Sequence, residues 1–202
     1  MRLFLCKYTM IKNAIVLGNG QSRLEVNLAD LKLLGTVYGC NALYREFSPD
    51  VLVSTDPGIS GEIQMSGYSK THTHYTRKPL PDKGAKLIEH HFGWSSGPIA
   101  LTYAAASDAT SIYFVGFDLS GLAGKFNNVY ADTAHYKKSA DTATYNGNWI
   151  RQIAQLLREY PSKQFIRVTG SEPLTPEEWK TANYSETTIR DFNLMINNMK
   201  PD

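Results

Sequence analysis

The chain has 202 residues, 42% of them apolar and 20% charged, with a formal net charge of +2. That length supports one domain with a sizeable core and is short for two, and a charge so near balance gives no argument for a nucleic-acid or membrane-surface partner. The two cysteines, Cys6 and Cys40, make neither a disulfide framework nor a metal-ligand spacing, so Cys40 reads as a small buried hydrophobe in a reducing compartment.

The N-terminal MRLFLCKYTM carries an apolar patch too short for a signal sequence, and no apolar run elsewhere reaches membrane-spanning length. The expectation is a cytoplasmic protein without an integral membrane segment, in which residues 1 to 9 are an upstream start or an ordered extra strand. Ala14-Ile15-Val16-Leu17 then stops at Gly18-Asn19-Gly20, as a strand buried on both faces does at its end. A turn able to become helical follows at Ser22, and its free N–H groups would favour an anion above the strand. This is a candidate phosphate cradle. It lacks the third glycine of a dinucleotide fingerprint, since position 23 is Arg, and the Gly-Lys-Ser/Thr of a P-loop.

Ala29 to Leu34 reads as a short helix ending at Gly35, and Thr36 to Cys40 as a second strand reaching Asn41. Val51 to Val53 is a third strand, running into the acidic turn at Asp56. Gly61 to Met65 has helical character, and Thr71 to Arg77 alternates like a strand that puts His72 and His74 on one side. Ala85 to Phe92 also reads as a strand, with His90 and His91 on opposite faces. Both histidine pairs are expected at the surface or in packing rather than on a metal.

Ser95-Ser96-Gly97-Pro98 introduces an Ala-rich helix over 99 to 109, with Ser96 as N-cap. Ser111 to Gly116 is a buried strand ending in Gly116-Phe117-Asp118. Residues 119 to 145 are Gly-, Asn- and Lys-rich without periodicity, too long for an idle connection, and predict a functional lid carrying His135. Trp149 to Tyr160 shows the apolar stripe of a helix. Phe165 to Val168 reads as the last strand, Thr175-Pro176 as a helix start with Pro at N1, and Ile189 to Met199 as a final helix. The alternation predicts an α/β fold, a single Rossmann-like three-layer sandwich with a mostly parallel sheet.

In such a sheet the strand ends lie on one edge, where open α/β folds bind ligands. Gly18, Asn19, Gly20, Ser22, Asn41, Asp56, Gly116 and Asp118, with Ser95, Ser96 and Gly97 opposite, are therefore candidate nucleotide-binding residues. An imidazole titrates near neutral pH, so His135 on a lid is placed to accept a proton from an attacking hydroxyl, and Tyr130 to donate a hydrogen bond to a departing phosphate.

At these residues the chain resembles the bacterial CMP-sialic acid sialyltransferases of the Campylobacter lipooligosaccharide type. The islands are Ile15-Val-Leu-Gly-Asn-Gly-Gln-Ser22, Tyr38-Gly-Cys-Asn41, Ser96-Gly97, Ile112-Tyr-Phe-Val-Gly-Phe-Asp118, Tyr130-Ala-Asp132 and His135. The resemblance implies glycosyl transfer from a CMP-linked sugar to a glycan acceptor without a required cofactor or metal. It also implies a cradle of Asn19, Gly20, Asn41, Ser96, Gly97, Gly116 and Asp118, with His135 as general base and Tyr130 on the leaving phosphate. Leu119-Ser120 stands where the family has a second Tyr, Gly93-Trp94 where it has a basic residue, and Asp56 where it has an asparagine. Pro49 to Asp56 and Gly116 to Leu119 also resemble MptE-like proteins, which include 6-hydroxymethylpterin diphosphokinases and motility-accessory flagellin glycosyltransferases. That likeness implies Mg²⁺ held on a triphosphate by Asp56 or Asp118. A nucleotide- or sugar-binding module without turnover is the third expectation, and association into a homo-oligomer is left open.

Overall fold

In the computed structural model, described over residues 12–170 and 173–200, the apolar run Asn13–Leu17 is a strand, β1, near the middle of an eight-stranded sheet. The expectations for residues 1 to 9 and for Cys6 lie outside the described residues. The other strands are β2 (Thr36–Cys40), β3 (Val51–Ser54), β4 (Thr73–Thr76), β5 (Lys86–Leu87), β6 (Ser111–Val115), β7 (Gln164–Thr169) and β8 (Tyr184–Thr188). They lie in the order β5-β4-β3-β2-β1-β6-β7-β8, and every one of these pairings is parallel.

Side chains alternate across a strand, and in β1 both faces are closed. Ala14 and Val16 pack into one core with α4 (Ser96–Ala106) and α5 (Gly147–Glu159). Ile15 and Leu17 pack into the other with α1 (Leu31–Leu34), α2 (Pro57–Met65) and α6 (Ile189–Asn197). A single turn, α3 (Tyr68–Thr71), leads into β4. The result is a three-layer α/β sandwich of the Rossmann-like kind. Its continuous apolar strands follow from burial on both faces, which leaves no position for a polar alternation. Ala100, Ala104 and Ala105 are fully buried where α4 lies over β1, β2 and β3, and their small side chains allow that close approach.

Several local expectations are corrected. Of residues 85 to 92 only Lys86–Leu87 is strand, because Ile88 turns into the core and the chain then leaves the sheet edge. The N-cap of α4 is Ser95, with Ser96 already inside the helix. Pro176 precedes a single 3₁₀ turn, Glu177–Trp179, anchored by the fully buried Trp179. The last strand is β8 rather than β7. Its mostly exposed Tyr184–Thr188 shows no apolar alternation, and it is strand through its pairing with β7 and the packing of Tyr184 on Phe114 and Trp179.

From β1 the chain builds outward through β2 to β5, then crosses back to lay β6 on the other side of β1. The strand order reverses between β1 and β6, and in open α/β sheets that switch point opens a crevice beyond the carboxyl ends of the strands.

Candidate functional site

A cleft of about 540 Å³ opens at this switch point. At its floor β1 and β6 end in Gly18 and Gly116. Gly18 N–H donates to the Val115 carbonyl at 2.8 Å and Gly20 N–H to the Gly116 carbonyl at 2.9 Å. The two backbones approach so closely that a Cβ on Gly18 would collide with the Gly116 carbonyl, and Gly116 itself has φ +76°. Both glycines are thus required by the chain's own packing.

Gln21–Glu25 is a 3₁₀ turn whose donors are largely taken within the chain. Gln21 N–H reaches Asn127 Oδ1 at 2.9 Å, Ser22 N–H reaches Asp118 Oδ2 at 3.2 Å, and Arg23 N–H returns to the Gly20 carbonyl at 3.2 Å. The Asp118 carboxylate also accepts from the Ser22 hydroxyl and from Asn127 Nδ2 at 3.0 Å. Asp118 therefore caps this turn, and Ser22 points to it instead of lining the cleft. Of the N–H groups from Gly18 to Arg23, that of Asn19 is left for a ligand among the described residues.

The opposite wall comes from two helix starts. Neither Asp56 before α2 nor Ser95 before α4 caps its helix with a side chain, and the cleft is lined by Asp56 and Ile59 at the first helix start and by Ser95, Ser96 and Gly97 at the second, where the positive end of a helix dipole favours an anion. Ser96 fixes their spacing. Its hydroxyl donates to Asn41 Oδ1 at 2.9 Å, accepts from Thr55 N–H at 3.0 Å, and lies 2.8 Å from Thr55 Oγ1. Asn41, in a left-handed conformation with φ +54°, also donates to Asp56 Oδ2 at 3.3 Å; asparagine tolerates that backbone better than most residues. Gly97 packs under the Phe117 ring.

The segment from 119 to 145 closes the third side with turns and isolated bridges. His135 lines the cleft, at φ +70°, with Nε2 3.2 Å from Glu62 Oε2. Tyr130 does not line it. Its buried hydroxyl donates to Glu46 and accepts from Arg23 Nη2 at 3.1 Å, and burial pushes its pKa up. The cleft-lining tyrosines of this segment are Tyr145 and Tyr136, and the Tyr136 hydroxyl accepts from Ala42 N–H at 3.1 Å while burial raises its pKa.

Cations reach the cleft from places the sequence did not suggest. Arg77, just past β4, donates to the Phe92 carbonyl at 2.7 Å and the Trp94 carbonyl at 2.6 Å, bringing a guanidinium to the Gly93-Trp94 stretch. Lys137 is two residues past His135. Trp149 and Gln152 enter from the first turns of α5, and Gln152 Oε1 accepts from Ser95 N–H at 3.1 Å. Position in a cleft-facing helix start would have flagged these two; for Arg77 no local signal exists.

Of the two carboxylates that the triphosphate reading would place on Mg²⁺, Asp118 accepts from Ser22 and Asn127 and Asp56 accepts from Asn41. Among the described residues no group of three His, Cys, Asp or Glu side chains is placed to hold a metal ion. Among the described residues no helix is long and apolar enough to cross a membrane. Compared with protein-family models, curated proteins and solved structures, the chain has no match.

Proposed function

We propose that this chain is a glycosyltransferase using a nucleotide-activated sugar, CMP-linked in the sialyltransferase-like manner. The observation that carries the reading is His135, backed by Glu62, in the same cleft as two uncapped helix starts and the glycine turn at the β1/β6 switch point. A volume of about 540 Å³ lies within the range of small-molecule sites. The N–H groups of Ser96 and Gly97 and the charges of Arg77 and Lys137 would bind the phosphate, and Phe117, Tyr136 and Trp149 offer aromatic surface to the base.

In the reaction, the acceptor hydroxyl gives its proton to the imidazole as its oxygen bonds the sugar's anomeric carbon. The bond from that carbon to the phosphate oxygen breaks, and its electron pair leaves with the nucleotide. Donors already aimed at that phosphate stabilise the charge as it develops. The test is His135→Ala assayed for transfer from CMP-sugar and for CMP binding. Transfer should fall by about two orders of magnitude or more, with CMP affinity nearly unchanged. Undiminished transfer, or a thermal shift with ATP and Mg²⁺ but not with CMP, would overturn the reading.

A further inference from the structure

We infer that Gly58 and Glu62 of α2 are positioning residues that together form a seat for the His135 ring, an inference that rests on His135 being the base. The two are four residues apart and so share one face of the helix. Glu62 Oε2 lies 3.2 Å from His135 Nε2. A Cβ built on Gly58 would lie 2.6 Å from Nδ1, 3.1 Å from Cγ and 3.2 Å from Cε1, so the ring rests against the bare Cα of Gly58. Gly58 has no left-handed φ that would demand glycine, and a helix gains from a side chain at such a position. The imidazole is what requires the glycine.

Glu62 is itself held rigid. It accepts from Tyr44 at 2.5 Å and from both Arg45 Nε at 2.9 Å and Arg45 Nη2 at 2.8 Å. Arg45 reaches on to Thr133 Oγ1 at 3.1 Å and to the Ala134 carbonyl at 3.3 Å. One guanidinium thus fixes both the carboxylate behind the ring and the two residues that precede it, which keeps His135 in its left-handed conformation. The Glu62 carboxylate, 3.2 Å from Nε2, holds the ring by its charge and steadies the imidazolium once the ring has taken a proton. Arg45 shares the Glu62 charge, so the main effect of the pair is orientation.

Gly61 supplies the control, since a Cβ there would meet nothing within 4 Å. Gly58→Ala should lower kcat by about a hundredfold, the lower end of what a positioned base contributes, with the donor KM unchanged and the melting temperature equal or higher. Gly61→Ala should raise the melting temperature and keep full activity. Nitrogen-15 imidazole spectra should show His135 resonances that move from their wild-type positions in both Gly58→Ala and Glu62→Ala. A Gly58→Ala or Glu62→Ala protein with unchanged spectra and activity would overturn the seat. If His135→Ala still transfers sugar, the base reading fails, yet the spectra still report whether the seat exists.

Discussion

His74 sits with no exposed surface between two hydroxyls, Nε2 2.7 Å from Ser54 Oγ and Nδ1 2.7 Å from Ser69 Oγ. Burial pushes its pKa down to about 4. Its unfolded value is near 6.5, so between these two the unfolded chain binds the extra proton and stability falls as pH is lowered. Denaturant titrations at pH 7.5 and pH 4 should differ by roughly 3 kcal/mol from this residue, a difference absent in His74→Asn. The pair read as His72 and His74 on one strand face is broken up because β4 begins at Thr73, leaving His72 exposed and stacked on Tyr68. Asp118 tests the same scale differently. Asp118→Ala removes the acceptor of Ser22 N–H, Ser22 Oγ and Asn127 Nδ2. It should destabilise the fold by about 1–3 kcal/mol without any ligand present, as read by chemical denaturation; a residue serving a nucleotide alone would leave unliganded stability untouched.

Elements differ in how much of themselves the sequence exposes. The stripe Ile153, Leu156 and Leu157 of α5 is legible because burial and helical period coincide. The lid is legible only as an absence of period. What fastens it is spread along the chain: Arg23, 1% exposed, donates to Asn19 Oδ1 at 3.0 Å, to Glu46 Oε1 at 2.6 Å and to Tyr130 at 3.1 Å, while Asn19 C=O accepts from Val129 N–H at 2.8 Å. No local pattern pairs residue 23 with 130 or 62 with 135, which is why Tyr130 reads as a ligand of phosphate when it is a tether of the lid. Arg23→Met should destabilise the protein by about 2–3 kcal/mol, since Glu46 is exposed enough to hydrate once stranded while Asn19 and Tyr130 lose a buried partner. Limited proteolysis within 119 to 145 should accelerate in the same variant. In α2, Gly61→Ala should add up to about 1 kcal/mol in chemical denaturation from helix propensity alone.

At the scale of the whole molecule, strand and helix alternation was enough to anticipate the layers and the edge on which Gly18, Asn41, Asp56 and Gly116 meet. The strand order was not readable, because the central strands β1, β3 and β6 carry similar apolar runs and pairing is decided by the crossovers between them. That order matters for function, since β1 and β6 become neighbours only through the crossing from β5, and the cleft lies where these two halves of the sheet, the starts of α2 and α4, and the lid converge. A ligand there touches all of them, so its binding should register as global stability. Ligand at a hundred times its Kd adds about 2.7 kcal/mol, which for a chain of this size raises Tm by roughly 5 to 10 °C. CMP should give that shift with or without Mg²⁺, and hydrogen exchange should slow at the ends of β1 and β6 and across 119 to 145 together. Protection confined to the lid would mean that the ligand does not bridge the switch point, and the phosphate would then have to be sought away from the starts of α2 and α4.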